Sequence, residues 1–552
     1  MAPTAPLRVA ELVGQAVADL GAAHAFGVVG SGNFAVTNAL VAAGVPFVAA
    51  RHEGGAATMA DAYARTSGRV TVLSVHQGCG LTNAMTGIAE AAKSRTPLLV
   101  LAADVAGSAV GSNFRIDQDT LVRSVGAVPE RVHSPGSALQ DVSRAYRTAY
   151  HGRRAVVLNL PLDVQAAEVA ESRRLAPLSA APRTAPDPDA ADALAQRLRD
   201  AERPVFLAGR GAMPYGREIA ALAERVGALL TTSAVAAGTF ADEAYDLGIC
   251  GGFATPLAAE LVAGADLVVA WGCSLTSWTT RHGRLLGAEA LLAQIDDDPA
   301  ALGARRPVDL GVLGDVGLTV SAVADRMAGN DNRPGYRTPD VARRLRGEGR
   351  WPQVPFTDLS SETTIDPRAL SGRLDDVLPR NRQLAVDSGN FMGYPASYLS
   401  VPAAGAFCFT QSFQSIGLGL ATAIGAALAA PDRLPVLGTG DGGFLMGIAE
   451  LETAVRLRLG VLVVVYDDAA YGAEVHHFGP DGADLSTVRF PDADLAALAR
   501  GFGAEGLTVR DQADLDPVAV WLAGPRDRPL VVDAKISSDG GSWWLHEAFR
   551  AH

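Results

Sequence analysis

Residues 440–472 read GDGGFLMGIAELETAVRLRLGVLVVVYDDAAYG. The loop Gly440-Asp441-Gly442-Gly443 follows the apolar run Pro435-Val436-Leu437. After it, Leu445, Ile448, Leu451 and Val455 recur three to four residues apart, which predicts a helix. The uninterrupted run at 461–465 predicts a buried strand, ending in Tyr466-Asp467-Asp468. That order places Asp441 and Asp468 at the C-terminal ends of two strands, the edge where open α/β sheets bind ligands. The glycines beside Asp441 let backbone N–H groups approach an anion, and a helix N-terminus favours negative charge. One or two carboxylates plus substrate phosphates is the usual way proteins hold Mg²⁺. A GDGG alone is compatible with an ordinary turn. Followed by a strand that ends in acids, it reads as a metal–diphosphate site.

The rest of the chain fits an α/β protein. It has 552 residues, 48% hydrophobic and 19% charged, enough for several cores. The net charge of −13 argues against nucleic-acid binding. Lys93 and Lys535 are the only lysines. The four cysteines, Cys79, Cys250, Cys273 and Cys408, have no zinc or CxxC spacing, and a reducing cytosol is expected. With no leader pattern and no uncharged run of membrane-spanning length, a soluble, cytoplasmic protein is expected.

Strand patterns at 24–30, 46–50, 70–75, 98–103 and 155–160 alternate with helical ones, including an amphipathic stretch at 9–20. Such alternation means a parallel sheet covered on both faces. The pattern repeats at 190–328, with strands at 204–208 and 267–271 and a helix at 217–226, and again at 367–552. Pro- and charge-rich stretches at 171–190 and 329–366 read as connections. The expectation is three doubly wound α/β domains: 1–170, 190–328 and 367–552.

Several loops carry candidate chemistry. Glu53 follows the second strand and precedes a glycine pair and a helix; it is either a first-turn acid or a group in the ligand crevice. His76 and Gln77 follow the third strand, where a histidine is either a satisfied core residue or faces a reacting group. Cys79 reads as inert packing, having no evident base partner. The first strand runs into a glycine turn at Gly30. Ser388-Gly389-Asn390 offers hydroxyl, amide and bare backbone donors to a diphosphate. The glycines of 414–421 follow no convincing strand, so they read only weakly as a dinucleotide loop. On a helix, Glu474 and His477 stand three apart and share a face, solvated or proton-shuttling.

Together these motifs resemble the thiamin diphosphate (ThDP)-dependent enzymes, in particular acetolactate synthases and 2-oxo acid decarboxylases. The resemblance rests on the GDG at 440–442, on Arg51-His52-Glu53-Gly54-Gly55-Ala56 with Met59-Ala60-Asp61-Ala62-Tyr63-Ala64-Arg65, and on Gly78-Cys79-Gly80-Leu81-Thr82-Asn83. Two departures are plain: Asp467-Asp468 stands where the family has an Asn pair, and Cys79 where it has Pro. The resemblance implies that Glu53 hydrogen-bonds the cofactor's pyrimidine ring and activates it. It implies Mg²⁺ held by Asp441, Asp468 and the Ala470 carbonyl. Gly30, Ser388, Gly389, Asn390, Gly440, Gly442, Gly443 and Tyr471 would line the cofactor, Ile416 would bend it, and the Gln414 carbonyl would accept from its aminopyrimidine. His76, Gln77, Glu474 and His477 would face the substrate.

The implied activity is a carboligase acting on a 2-oxo acid and a second carbonyl, in a homodimer or homotetramer. Segment 111–118, GSNFRIDQ, resembles the carboligase loop and lacks the His pair of the decarboxylases. The alternative is a decarboxylase releasing an aldehyde. Gly209-Arg210-Gly211 and Trp271-Gly272-Cys273 occupy the middle domain's glycine turns, and the second lacks the family's usual downstream acid–arginine pair, reading Leu275-Thr276-Ser277-Trp278, which argues against FAD.

Overall fold

Apolar runs bounded by turn residues become parallel strands throughout the chain. The computed structural model describes residues 7–169, 174–329, 333–538 and 543–549. The first sheet contains β1 (Ala25–Gly27), β2 (Phe47–Ala49), β3 (Thr71–Val75), β4 (Leu98–Asp104), β5 (Val128–Arg131) and β6 (Ala155–Pro161), in the order β2-β1-β3-β4-β6-β5. The second contains β7 (Pro204–Ala208), β8 (Leu229–Thr232), β9 (Asp246–Ile249), β10 (Leu267–Trp271), β11 (Leu291–Asp296) and β12 (Leu310–Leu313), in the order β12-β11-β10-β7-β8-β9. The third contains β13 (Arg382–Val386), β14 (Phe407–Phe409), β15 (Leu434–Gly440), β16 (Leu462–Asp467), β17 (Glu505–Val509) and β18 (Leu530–Lys535), in the order β14-β13-β15-β16-β18-β17.

The expected fold class is therefore the observed one. The first and third sheets share one strand order, while the second has the order of a dinucleotide-type doubly wound sheet. In the first and third, the order reverses between the first and third strands of the sheet. That switch point opens a crevice at the C-terminal edge.

Three readings of the sequence are corrected. Residues 329–366 are not merely a connection: they contain the helix Pro339–Glu348, whose Val341 and Leu345 enter the core of the middle domain. Its apolar positions are too few to stand out among charges. The glycines at 414–421 do follow a strand, the three-residue β14, too short to show in the pattern. The helix after Gly440 is two pieces, Asp441–Gly447 and Ala449–Arg456, and Leu445 is exposed while Leu451 is buried. Of the 171–190 stretch, residues 171–173 lie outside the described residues, and a helix begins at Pro188 with Asp187 capping it.

The first and third sheets share one hydrophobic core. The helix Glu53–Ser67 crosses the helix Gly419–Ala429 so closely that a Cβ on Gly425 would lie 2.2 Å from the Met59 carbonyl oxygen. A buried cluster fastens the same seam. Arg65 pairs with Asp61 at 2.7 Å and Glu90 at 2.6 Å, and donates to the Phe409 carbonyl. Glu90 accepts from the backbone N–H groups of Ser412 and Phe413. Breaking such a buried ion pair by removing one partner costs about 3–5 kcal/mol, so the two domains are held in fixed register.

Candidate active site

The first group of candidate residues lies at the switch point of the first sheet. The chain leaving β1 and the chain leaving β3 run side by side there. Gly30 lies against His76: a Cβ on Gly30 would come 2.5 Å from the ring. His76 Nδ1 lies 3.0 Å from the Gln77 carbonyl oxygen and its Nε2 3.4 Å from Ser31 Oγ. A carbonyl only accepts, so Nδ1 carries a proton, and Nε2 is turned toward the Ser31 hydroxyl. Gln77 is buried, and its Oε1 has no hydrogen-bond partner. The Phe114 ring meets His76 edge-on, with centroids 5.0 Å apart.

Gly78 adopts φ +62°, with the Phe114 carbonyl where a Cβ would stand, so glycine is required. Its N–H donates to Gln118 Oε1 at 2.9 Å, and Gln118 in turn donates to Asn159 at 2.7 Å. Glu53 opens its helix, as expected. Its carboxylate accepts from Asn83 Nδ2 at 3.1 Å. Its backbone is aimed from the third domain: buried Glu450 accepts from the N–H groups of Arg51 and His52 at 3.1 and 3.0 Å. Cys79 is exposed rather than packed.

The second group lies at the switch point of the third sheet, between β13 and β15. Asp387, fully buried, accepts from the N–H groups of Ser388, Gly417 and Leu418 at 2.8, 3.1 and 3.3 Å, and from the Thr439 hydroxyl at 3.2 Å. One carboxylate thus gathers three loops. Burial pushes its pKa up to about 6, against the pull of these donors. A Cβ on Gly443 would lie 2.6 Å from Asp387 Oδ2, so this glycine serves close approach. Ser388 donates to Gln411 Oε1 at 3.2 Å, while Gln411 Nε2 and Asn390 Oδ1 are buried without partners. Gln414 takes a left-handed φ of +63°, and Ile416 follows it, half-buried.

Asp441 and Asp468 come together as the motif requires. Burial first, then the charge of Asp467, raises Asp441 from the ordinary 3.8 to about 7. Burial first, then the charges of Asp441 and Asp467, does the same to Asp468. Ala470 pairs with Arg489 in an isolated bridge, which holds the strand-end loop. Tyr471 packs on Phe490 and borders Gly442, where a Cβ would meet its ring at 2.8 Å. A Cβ on Gly440 would meet the Phe391 ring at 3.1 Å. Glu474 and His477 lie on the short helix Gly472–Phe478, three residues apart.

Among the described residues, Glu53 accepts from Asn83, and no hydrogen bond links it to Asp441, Asp468 or Gln414.

Residues 7–122, 191–323 and 387–534 match, respectively, the N-terminal TPP binding domain, the central domain and the C-terminal TPP binding domain of thiamine pyrophosphate enzymes. The chain belongs to the ThDP-dependent enzyme family. It is 31% identical to a Pseudomonas aeruginosa protein named "Probable 2-ketoarginine decarboxylase", over 94% of this chain and 91% of the other. It is 29% identical to a catabolic acetolactate synthase of Raoultella terrigena, over 95% and 96%. It is 29% identical to a sulfoacetaldehyde acetyltransferase of Castellaniella defragrans, over 90% and 87%.

The residues present suit the family's cofactor. A buried and a half-buried carboxylate that repel each other make a donor set wanting a cation. Buried polar atoms without partners, on Asn390 and Gln411, lie where a diphosphate would be gripped. Sequence reasoning missed the residues that support these loops: Asp387, Gln411, Gln118, Glu450 and Lys535. Each acts on a loop distant in sequence, so no local pattern announces it. Among the described residues no helix is long and apolar enough to cross a membrane.

Proposed function

We propose that this family member is a ThDP- and Mg²⁺-dependent carboligase, which removes CO₂ from a 2-oxo acid and joins the remaining acyl unit to a second carbonyl. The observation that carries the reading is the division of the site: Glu53 with His76 and Gln77 on the first domain, and the Asp441–Asp468 pair with Ser388 and Asn390 on the third. Bound ThDP supplies the nucleophilic carbon that adds to the 2-oxo acid and takes up the electrons left when CO₂ departs.

The chain's own residues do the rest. Asp441, Asp468 and the Ala470 carbonyl hold Mg²⁺. Ser388, Gly389, Asn390, Gly440, Gly442 and Gly443 receive the diphosphate, with Tyr471 beside it. Gln414 and Ile416 shape the cofactor's middle, and Gly30 lets His76 close in. Glu53 holds a proton at the pyrimidine nitrogen. His76, whose Nε2 faces the Ser31 hydroxyl, and Gln77, whose Oε1 has no internal partner, orient the carbonyl substrate. Glu474 and His477 border it from the third domain and exchange protons with the product.

A complete site needs a second copy, which would bring Glu53 opposite Asp441. Exposed apolar side chains stand on both domains, Phe114 at 44% against His76 and Met446 at 54% beside Gly417. Such patches suit burial between copies in a homodimer or homotetramer.

The absence of histidine from residues 105–117 favours ligation over simple decarboxylation. The relative named a 2-ketoarginine decarboxylase favours the second reading. Product analysis separates them. With ThDP, Mg²⁺, a panel of 2-oxo acids and an aldehyde or 2-oxo acid acceptor, the expected product by mass spectrometry is a hydroxyketone or hydroxy-oxo acid. Free aldehyde alone, unaffected by the acceptor, would establish the decarboxylase.

A further inference from the structure

Asp467 is the first of the two acids that stand in place of the Asn pair, and the structure sets one of only two lysines against it. Lys535, the last residue of β18, is in register with Asp467, the last of β16. The Lys535 ammonium donates to Asp467 Oδ2 at 2.6 Å, to Asp492 Oδ1 at 2.6 Å and to the Ala493 carbonyl at 2.8 Å, so all three of its N–H bonds are used. Asp533 Oδ2 lies 3.2 Å away. The other oxygen of Asp467 accepts from the Ala469 N–H at 2.9 Å. Ala469 has a left-handed φ of +50°, a costly conformation for a residue with a Cβ. That turn directs Asp468 and the Ala470 carbonyl.

We propose that Asp467 and Lys535 form a compensated pair that positions the metal loop. Lys535 supplies the countercharge that makes an acid tolerable beside the two metal carboxylates and holds it away from the metal, while Asp467 holds the left-handed turn at Ala469. This rests on the metal-site reading of Asp441 and Asp468.

An Asn at 467 could hold the same turn, but its amide would then point a donor at the ammonium. An acid at 467 without the lysine would leave a third buried carboxylate facing Asp441 and Asp468. The two residues suit each other, and each alone suits the site poorly.

The test is a four-cornered set: wild type, Asp467→Asn, Lys535→Met and the double variant. Each is read by ThDP binding as a function of Mg²⁺ concentration, from quenching of tryptophan fluorescence, and by the Tm of the metal-free protein. Lys535→Met is expected to need about tenfold more Mg²⁺ for half-maximal ThDP binding, the low end of the range for losing a group that supports a metal ligand, since Lys535 acts on the ligands through Asp467. Asp467→Asn is expected to weaken binding when Lys535 is present and to improve both binding and Tm when it is combined with Lys535→Met. A merely structural pair would reverse the sign in Tm but leave the Mg²⁺ dependence unchanged. Lys535→Arg, which keeps the charge, should stay near wild type.

The same effect of Asp467→Asn in both backgrounds would overturn the pairing. So would unchanged Mg²⁺ dependence in Lys535→Met. If Lys535→Met does not fold, recovery of soluble, metal-responsive protein in the double variant reads the same coupling, and failure to recover overturns it. Mg²⁺-independent ThDP binding in wild type would instead refute the metal site itself.

Discussion

Glu53→Gln is expected to keep the fold, the oligomer and ThDP binding, and to lower turnover by about 100- to 10,000-fold, the range of a lost general acid–base group. Gln is nearly the same size and can still meet Asn83, whose amide turns to suit it. The helix beginning at residue 53 is anchored by Glu450 through the backbone of Arg51 and His52, which the substitution does not touch. The change therefore removes a proton-holding carboxylate and little else. Circular dichroism and ThDP titration check the first half of the prediction, and steady-state CO₂ release checks the second. Wild-type rates in this variant would remove Glu53 from the chemistry.

Asp441→Ala is expected to abolish Mg²⁺-dependent ThDP binding, and turnover with it. Asp441 is the buried acid at the head of the glycine loop, and a remaining carboxylate and carbonyl are too few to hold the metal and diphosphate together. In the wild type the same pair is expected to make the metal effect pH-dependent. Without metal, Asp441 and Asp468 hold protons up to about pH 7, whereas the unfolded chain releases them near 3.8. The native state binds more protons in that window, so the metal-free protein loses stability as pH rises from about 4 to 7. Mg²⁺ must displace these protons, so the rise in Tm on adding it should be small at pH 5.5 and larger at pH 8. Thermal scans of wild type and Asp441→Ala over that range check both points: the variant should show little response to Mg²⁺ at either pH.

The legible parts of the fold were those written in one stretch of chain. The run at 461–465 is apolar on both faces because β16 is covered on both sides, and it reads as a strand for that reason. β5, with the sequence VPER, is a half-buried edge strand containing a proline and two charges, and it resembles a loop. The same division holds at the site. Glu53, Asp441 and Ser388 sit in motifs of a few residues. Gln118 reaches Gly78, Glu450 reaches Arg51, and Lys535 reaches Asp467 only after the sheets are assembled. Leu445 fits the helical spacing but lies exposed, because the helix breaks between Gly447 and Ala449 and the two pieces do not share one buried face.

The most direct test of the divided site mixes two inactive proteins. Glu53→Gln and Asp441→Ala chains, co-refolded or co-expressed with different tags and purified for both, should form mixed dimers. In each, one site carries both lesions and the other carries neither. Random pairing makes about half of the dimers mixed, so about a quarter of wild-type CO₂ release should return in the unsorted pool. It should return only with ThDP and Mg²⁺ present. If purified mixed oligomers remain as inactive as either parent, Glu53 and Asp441 do not meet across copies, and the account of the site is wrong.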